Sequence, residues 1–330
     1  MRDYKGLETV GAAFVIGASL NIVYTLLVSY GEPQGLCGPE GVLVINSPLL
    51  AIMPLNYILV LTGTLGLVSP YVKELLKKGV STTDLKRIFL GMVVSGGSVH
   101  SSDHKYCIRF YGKDLALHRV FADLAYVIYE ARPGTLSMRG SYVTQVYSKR
   151  AVKELREFSP EFETRHGGEP SISFILEGKG EVKVESARVL MSTGGWISCS
   201  FINTASGLKA YPRLGCGSVT SAKLLSDYVE LMSDVGLSFK VYQDKRYEGK
   251  GYIATSDLMT LINFKRLGGF LDGTHVKKGE FEGIERNTLL TALIQASSTK
   301  FPSREEATKK IKELCYDDEL KVYLNRLMLG

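Results

Sequence analysis

The residues able to do chemistry are few, and their spacing excludes most enzyme classes. Cys37, Cys107, Cys199, Cys216 and Cys315 form no CxxC pair, and with His100, His104, His118, His166 and His275 they make no zinc-ligand spacing. There is no phosphate loop, no GxSxG elbow and no catalytic Cys/His signature. Basic and aromatic side chains recur at alternate positions of strand-like runs. In 105–111, Lys105, Cys107, Arg109 and Tyr111 point one way, and Tyr106, Ile108 and Phe110 the other. In 238–243, Lys240 and Tyr242 oppose Phe239 and Val241. Each alternation gives its strand one basic or polar face and one apolar or aromatic face. Cys107 and Cys199 are expected to be buried free thiols, and no metal and no cofactor is expected.

The charge is uneven. The chain has 330 residues and a net charge of +6. Residues 1–70 carry two basic and four acidic side chains, whereas 71–330 carry 38 and 30. All the positive excess therefore lies in the larger part, which permits a polyanionic partner without requiring one.

The N-terminal part reads differently. Residues 9–31 and 41–72 contain no charged side chain, and each run exceeds the ~20 residues that span a bilayer. The segment between them lacks Lys and Arg, while Arg2, Lys5, Lys73, Lys77 and Lys78 flank the pair. This is the positive-inside pattern of a two-helix hairpin with both ends in the cytoplasm. Residues 1–78 are expected to be that hairpin, placing 79–330 at the cytoplasmic face of a membrane. A buried soluble subdomain is the alternative, favoured by Pro48, Pro54, Asn21 and Asn56 within the runs.

From residue 79 onward the pattern repeats. An apolar helix over 85–95, capped by residues 81–84, stops at Gly96-Gly97. A strand (105–111), a helix capped by Asp114 (115–130) and broken by Pro133-Gly134, strands near 135–139 and 142–147, and a helix over 149–158 follow. In the second copy, the runs 172–176 and 181–193, the latter ending helically at Gly194-Gly195, lead to a strand at 196–202, with only serines outward. A strand (209–215), a helix (221–235), strands at 238–243 and 251–254, and a helix capped by Ser256 or Asp257 complete it. Trp196 is expected to be a core or interface anchor. Further helices are expected at 286–296 and, amphipathic, at 303–329.

These stretches resemble the LAGLIDADG homing endonucleases, especially the intein-associated branch. The matching runs are 89–99 (FLGMVVSGGSV), 108–114 (IRFYGKD) and 143–149 (VTQVYSK), then 190–197 (LMSTGGWI) and 267–276 (LGGFLDGTHV). The resemblance covers about residues 84–298 and implies an α+β fold: two pseudo-symmetric αββαββα repeats forming a saddle. The implied organisation is a first repeat at 79–158, a linker at 159–180, a second repeat at 181–298 and a C-terminal helix at 299–330.

In that family the motif helices pack at the pseudo-dyad, and the aspartate before each last glycine binds divalent metal. Those positions are Gly96 and Gly194 here, and the earlier motif aspartates fall on Val94 and Ser192. Magnesium needs carboxylates, so no catalytic residue is expected; an active protein of this type would be a DNA endonuclease. Gly91 retains the glycine of close helix approach, and Val189 replaces it.

The resemblance also implies a nucleic-acid surface on alternate strand positions: Lys105, Arg109, Arg139, Tyr142, Gln145, Lys209, Arg213, Lys240, Tyr242, Lys245 and Arg246, with Tyr252 as a further stacking residue. The register at 142–147 leaves the direction of Gln145 open, and a solvated sheet face accounts for any single one of these residues equally well. The leading reading is a non-catalytic, membrane-tethered protein that binds duplex DNA. The alternatives are an RNA-binding maturase-like protein, a membrane protein whose cytosolic domain binds a protein partner, and a residual endonuclease.

Overall fold

The computed structural model describes residues 68–102, 105–138, 140–162, 169–205, 207–219, 221–245 and 250–316. The chain divides into two units, Met1–Lys73 and Glu74–Gly330. The first expected membrane run, and the second up to residue 67, lie outside the described residues. Among the described residues no helix is long and apolar enough to cross a membrane. The second run ends in helix α1 (Pro70–Lys77).

The second unit contains the two repeats. Helix α2 (Thr82–Gly96) starts at Ser81, whose hydroxyl accepts the Asp84 N–H at 3.2 Å. Strands β1 (Gly97–Ser102) and β2 (Lys105–Gly112), helix α3 (Leu115–Tyr129), strands β3 (Pro133–Met138) and β4 (Ser141–Tyr147) and helix α4 (Lys149–Phe158) follow. The expected αββαββα order thus holds in the first copy. Helix α3 ends before Pro133-Gly134: Glu130 adopts the left-handed conformation (φ 55°), and the Pro-Gly pair opens β3 instead.

Residues 173–176 form one helical turn, α5 (Ser173–Leu176). Helix α6 (Gly180–Gly194) leads into β5 (Gly195–Thr204) and β6 (Gly207–Val219). Helix α7 (Ala222–Asp234), strands β7 (Lys240–Gln243) and β8 (Gly251–Thr255) and helix α8 (Leu258–Arg266) complete the copy. Asp257, not Ser256, caps α8 through the Thr260 N–H at 2.8 Å. Helix α9 (Arg286–Ala296), strand β9 (Lys300–Phe301) and helix α10 (Arg304–Tyr316) close the described chain; the expected final helix beyond Tyr316 lies outside it.

Both sheets are antiparallel with one order, β1-β2-β4-β3 and β5-β6-β8-β7, and β9 adds to β6. In the first sheet, Ile108 and Phe110 turn toward α3. The Phe110 ring stacks on Phe121 at 5.0 Å, and Phe121 on Phe89 of α2 at 5.0 Å. Helix α7 covers β6, β7 and β8 of the second sheet. Each sheet therefore has one face buried by helices and one more open face; on the first sheet Arg156 and residues 160–162 flank that face and form a cleft with it.

The motif helices α2 and α6 pack on each other, and the equivalent residues interlock. A side chain added at Gly91 would meet Val189 Cγ1 at 3.9 Å and the Ser186 carbonyl at 3.6 Å. Val189 thus fills the hollow over Gly91, so the missing second glycine is compensated by the retained first. Ser95 and Thr193 return their hydroxyls to the carbonyls of Gly91 and Val189 at 2.6 and 2.7 Å. Gly97 and Gly195 have ordinary extended φ values, −116° and −91°. Their reason is steric: a Cβ would press on the Val93 carbonyl from Gly97, and overlap the Met191 carbonyl from Gly195.

The two kinds of glycine should respond differently to substitution. Gly195→Ala lowers the unfolding free energy by about 1–3 kcal/mol, whereas Gly91→Ala changes it by less than about 1 kcal/mol; urea melts of both variants decide this. A pH effect is expected from His118, 2% exposed on α3, with Nδ1 2.8 Å from Thr144 Oγ1. Burial pushes its imidazole below the ordinary value of 6.5. The unfolded chain then takes up that proton first, so the stabilisation is complete above pH 6.5 and declines as the pH falls below it. The urea midpoint should drop less between pH 7.5 and 5 in His118→Gln than in the parent chain; equal drops would refute the assignment.

Candidate nucleic-acid interface

Register decides which strand residues reach the open faces. Arg109 lies opposite Gln145, Cys107 opposite Tyr147, and Lys105 opposite Ser102. Cross-strand partners share a face, so Lys105, Arg109 and Gln145 stand together with Ser98, His100 and Tyr147 on the open side. This resolves the direction of Gln145, which accepts a hydrogen bond from the Tyr147 hydroxyl at 2.7 Å. Cys107 shares that face yet is buried, as expected of a free thiol; Cys199 is half-buried.

Tyr142 does not join them. It is one residue out of phase with Gln145, and its ring meets His118 edge-on at 5.8 Å on the helix-covered side. Period-two alternation from Gln145 would have found this, had the register been legible. Arg139 and Arg246 lie outside the described residues.

In the second sheet, Ile202 pairs with Lys209 and Ser198 with Arg213, and Tyr242 pairs with Tyr252 across β7 and β8. Lys209, Arg213, Lys240, Tyr242 and Tyr252 therefore share one open face, and Lys245 follows β7 in a turn. Serines are not all that β5 contributes. Trp196 is in phase with Ser198 and lies on the open face, not in the core. Its partner Gly215 makes room there, since a Cβ at that position would overlap the indole. A bare glycine opposite the tryptophan was the available signal.

Arg213 sits among three rings. Its guanidinium is 4.9 Å from the Tyr242 centroid, 5.7 Å from Tyr252 and 5.8 Å from Trp196. Nη2 donates to the Tyr252 hydroxyl at 3.4 Å. These residues line a cleft of about 890 Å³ whose other walls include Lys245, Lys277, Lys278 and Arg286. Lys277 and Lys278, in the loop before α9, were not among the expected residues; that loop has no strand alternation to reveal its direction.

The cleft floor ties the two repeats together. Arg286, 3% exposed, donates from Nη1 to the carbonyls of Ser192 and Gly195 at 2.9 and 3.1 Å. It places a fixed positive charge at the C-terminal end of α6, where the helix dipole is negative. Its Nη2 lies 3.9 Å from Asp114 Oδ2, and Lys277 Nζ lies 3.7 Å from the same oxygen. Asp114 Oδ1 accepts the His275 N–H at 3.1 Å. Asp114 thus makes no side-chain cap for α3; the loop of the second repeat claims its carboxylate. Burial and the neighbouring Arg286 guanidinium push the Lys277 ammonium below its ordinary value, with Asp114 opposing them.

The ends of the motif helices do not fit a divalent ion. A Cβ at Gly96 would lie 2.5 Å from Thr193 Cγ2 and 3.0 Å from the Phe110 ring, and one at Gly194 3.2 Å from Ser95 Cβ. Val94 is buried, and the Ser192 hydroxyl is spent on the Arg188 carbonyl and the Leu271 N–H, each at 2.7 Å. These four motif positions supply no carboxylate oxygen, and a Cβ at either glycine would crowd the facing helix.

No family model and no curated protein matches the chain. Among solved structures it is similar to the homing endonuclease I-DmoI in complex with DNA and Mn, at 14% identity and TM-score 0.43, over 58% of this chain and 100% of that one. It is similar to the homing endonuclease I-WcaI bound to its DNA recognition sequence, at 13% and 0.41, over 62% and 91%. It is also similar to the N-terminal LAGLIDADG domain of DUF199/WhiA, at 12% and 0.38, over 58% and 83%. By its own topology the fold is LAGLIDADG-like: two helices cross at glycines, and each runs into an antiparallel sheet of the same strand order.

Proposed function

We propose that this chain is a non-catalytic nucleic-acid-binding protein whose open sheet faces engage duplex DNA, and that residues 9–31 and 41–72 tether it to a membrane. One observation carries the reading. Lys105, Arg109 and Gln145 share one open face, and Lys209, Arg213 and Lys240 the other, while the helix junction that would hold a nuclease's acids holds Gly96 and Gly194. Side chains on strands are held more rigidly than side chains on loops, so such combs are suited to phosphate and base-edge contacts. Cleavage by two metals needs carboxylates at one place, and the motif positions supply none.

Gel-shift titration of the full chain in detergent tests this. Duplex DNA should bind with an affinity that falls steeply with salt. Lys105→Ala should weaken binding to all sequences and flatten the log–log salt slope by about one. Preference for structured RNA over duplex would favour a maturase-like role, and no binding to either would turn the reading toward a protein partner. Magnesium-dependent nicking of plasmid, abolished by chelator, would overturn the non-catalytic part. Recovery of the full-length chain in the soluble fraction without detergent would overturn the tether.

A further inference from the structure

The two open faces differ in a way that bears on the form of the nucleic acid. The first presents mainly polar and basic side chains, Ser98, His100, Lys105, Arg109 and Gln145, with Tyr111 and Tyr147 beside them but no cluster of three rings around one guanidinium among the described residues. These are edge readers, with donors and acceptors suited to the groove of a duplex. The second gathers three aromatic rings around one guanidinium. Tyr242 and Tyr252 lie parallel, 5.6 Å apart at 16°, and Trp196 meets Tyr252 at 6.2 Å and 63°.

Stacked base pairs offer only their edges to a protein, so π faces find partners only where bases are unstacked. Gly215 gives the indole of Trp196 the space to lie across β6. Lys245, Lys277 and Lys278 add positive charge to the same cleft. Aromatic faces beside a basic rim are the chemistry that holds an unpaired strand.

We infer that the cleft bounded by Trp196, Arg213, Tyr242 and Tyr252 takes an unpaired nucleotide of DNA, so that the preferred ligand is a duplex continued by a single-stranded tail. This rests on the proposed binding of nucleic acid and narrows it. The first sheet holds the paired part by its edges. In the second, a base stacks on the rings, and the lysines meet the phosphates of the departing strand.

The chain contains one tryptophan, so its fluorescence reports on this cleft alone. The test is a titration of the full chain with a blunt duplex of about 20 base pairs and with the same duplex carrying a short thymidine tail, at the 5′ or the 3′ end. The expected result is at least about fivefold tighter binding of one tailed duplex, with Trp196 emission quenched by that ligand and not by the blunt one. In Tyr252→Leu the ratio of the two affinities should fall toward one; Tyr242→Leu, on an exposed edge-strand position, is the second variant should the first fail to fold. Equal affinity for blunt and tailed duplexes, or equal quenching by both, would overturn the inference and leave duplex binding standing. Failure of every DNA to bind would remove both.

Discussion

The close crossing of α2 and α6 is the constraint on which the rest of the structure depends. Val189 fits over Gly91, while Gly96 and Gly194 bring Thr193 and Ser95 within contact of the opposite helix. Because the helices meet this tightly at their C-terminal ends, the strands that follow them start side by side and diverge into two sheets. The glycines at 97 and 195 permit the abrupt change from helix to strand, since a Cβ there would run into the helix's own last turn. A carboxylate side chain at 96 would have to displace the Thr193 methyl group. Close packing of the two helices fills the volume next to these glycines.

A charged group at the same place joins the two repeats. Arg286 holds the end of α6 through main-chain carbonyls, and Asp114 from the first repeat lies beside it and Lys277. A buried carboxylate among cations is costly to break from either side, so this group links the repeats across 160 residues or more of sequence. It also leaves the cleft of the second sheet with a cationic floor.

The two repeats share a frame but have diverged on their open faces. In the first, alternation delivers Lys105 and Arg109 with Gln145 beside them. In the second, a glycine opposite a tryptophan turns the same strand positions into an aromatic enclosure around Arg213. Identical strand order therefore supports two kinds of contact, because the helices fix the backbone and the open-face side chains are free to differ.

Much was legible in the residues alone. Apolar periodicity and glycine pairs located the helices and the duplication, and the alternation of 105–111 set the faces of β2, because period two is a local property of the chain. The absence of motif aspartates was likewise plain from the order of residues. Three things were decided only in three dimensions. Strand register turned Tyr142 inward and Gln145 outward, since a one-residue slip reverses a face and only the neighbouring strand sets the slip. Trp196, expected as a core or interface anchor, pairs with Gly215 and lies on the open cleft. Asp114, read as a local cap, found its partners in His275, Lys277 and Arg286, residues distant in sequence whose approach depends on how the two repeats pack. Local pattern specifies elements; the partners of a charge or a ring are specified by what the fold brings next to it.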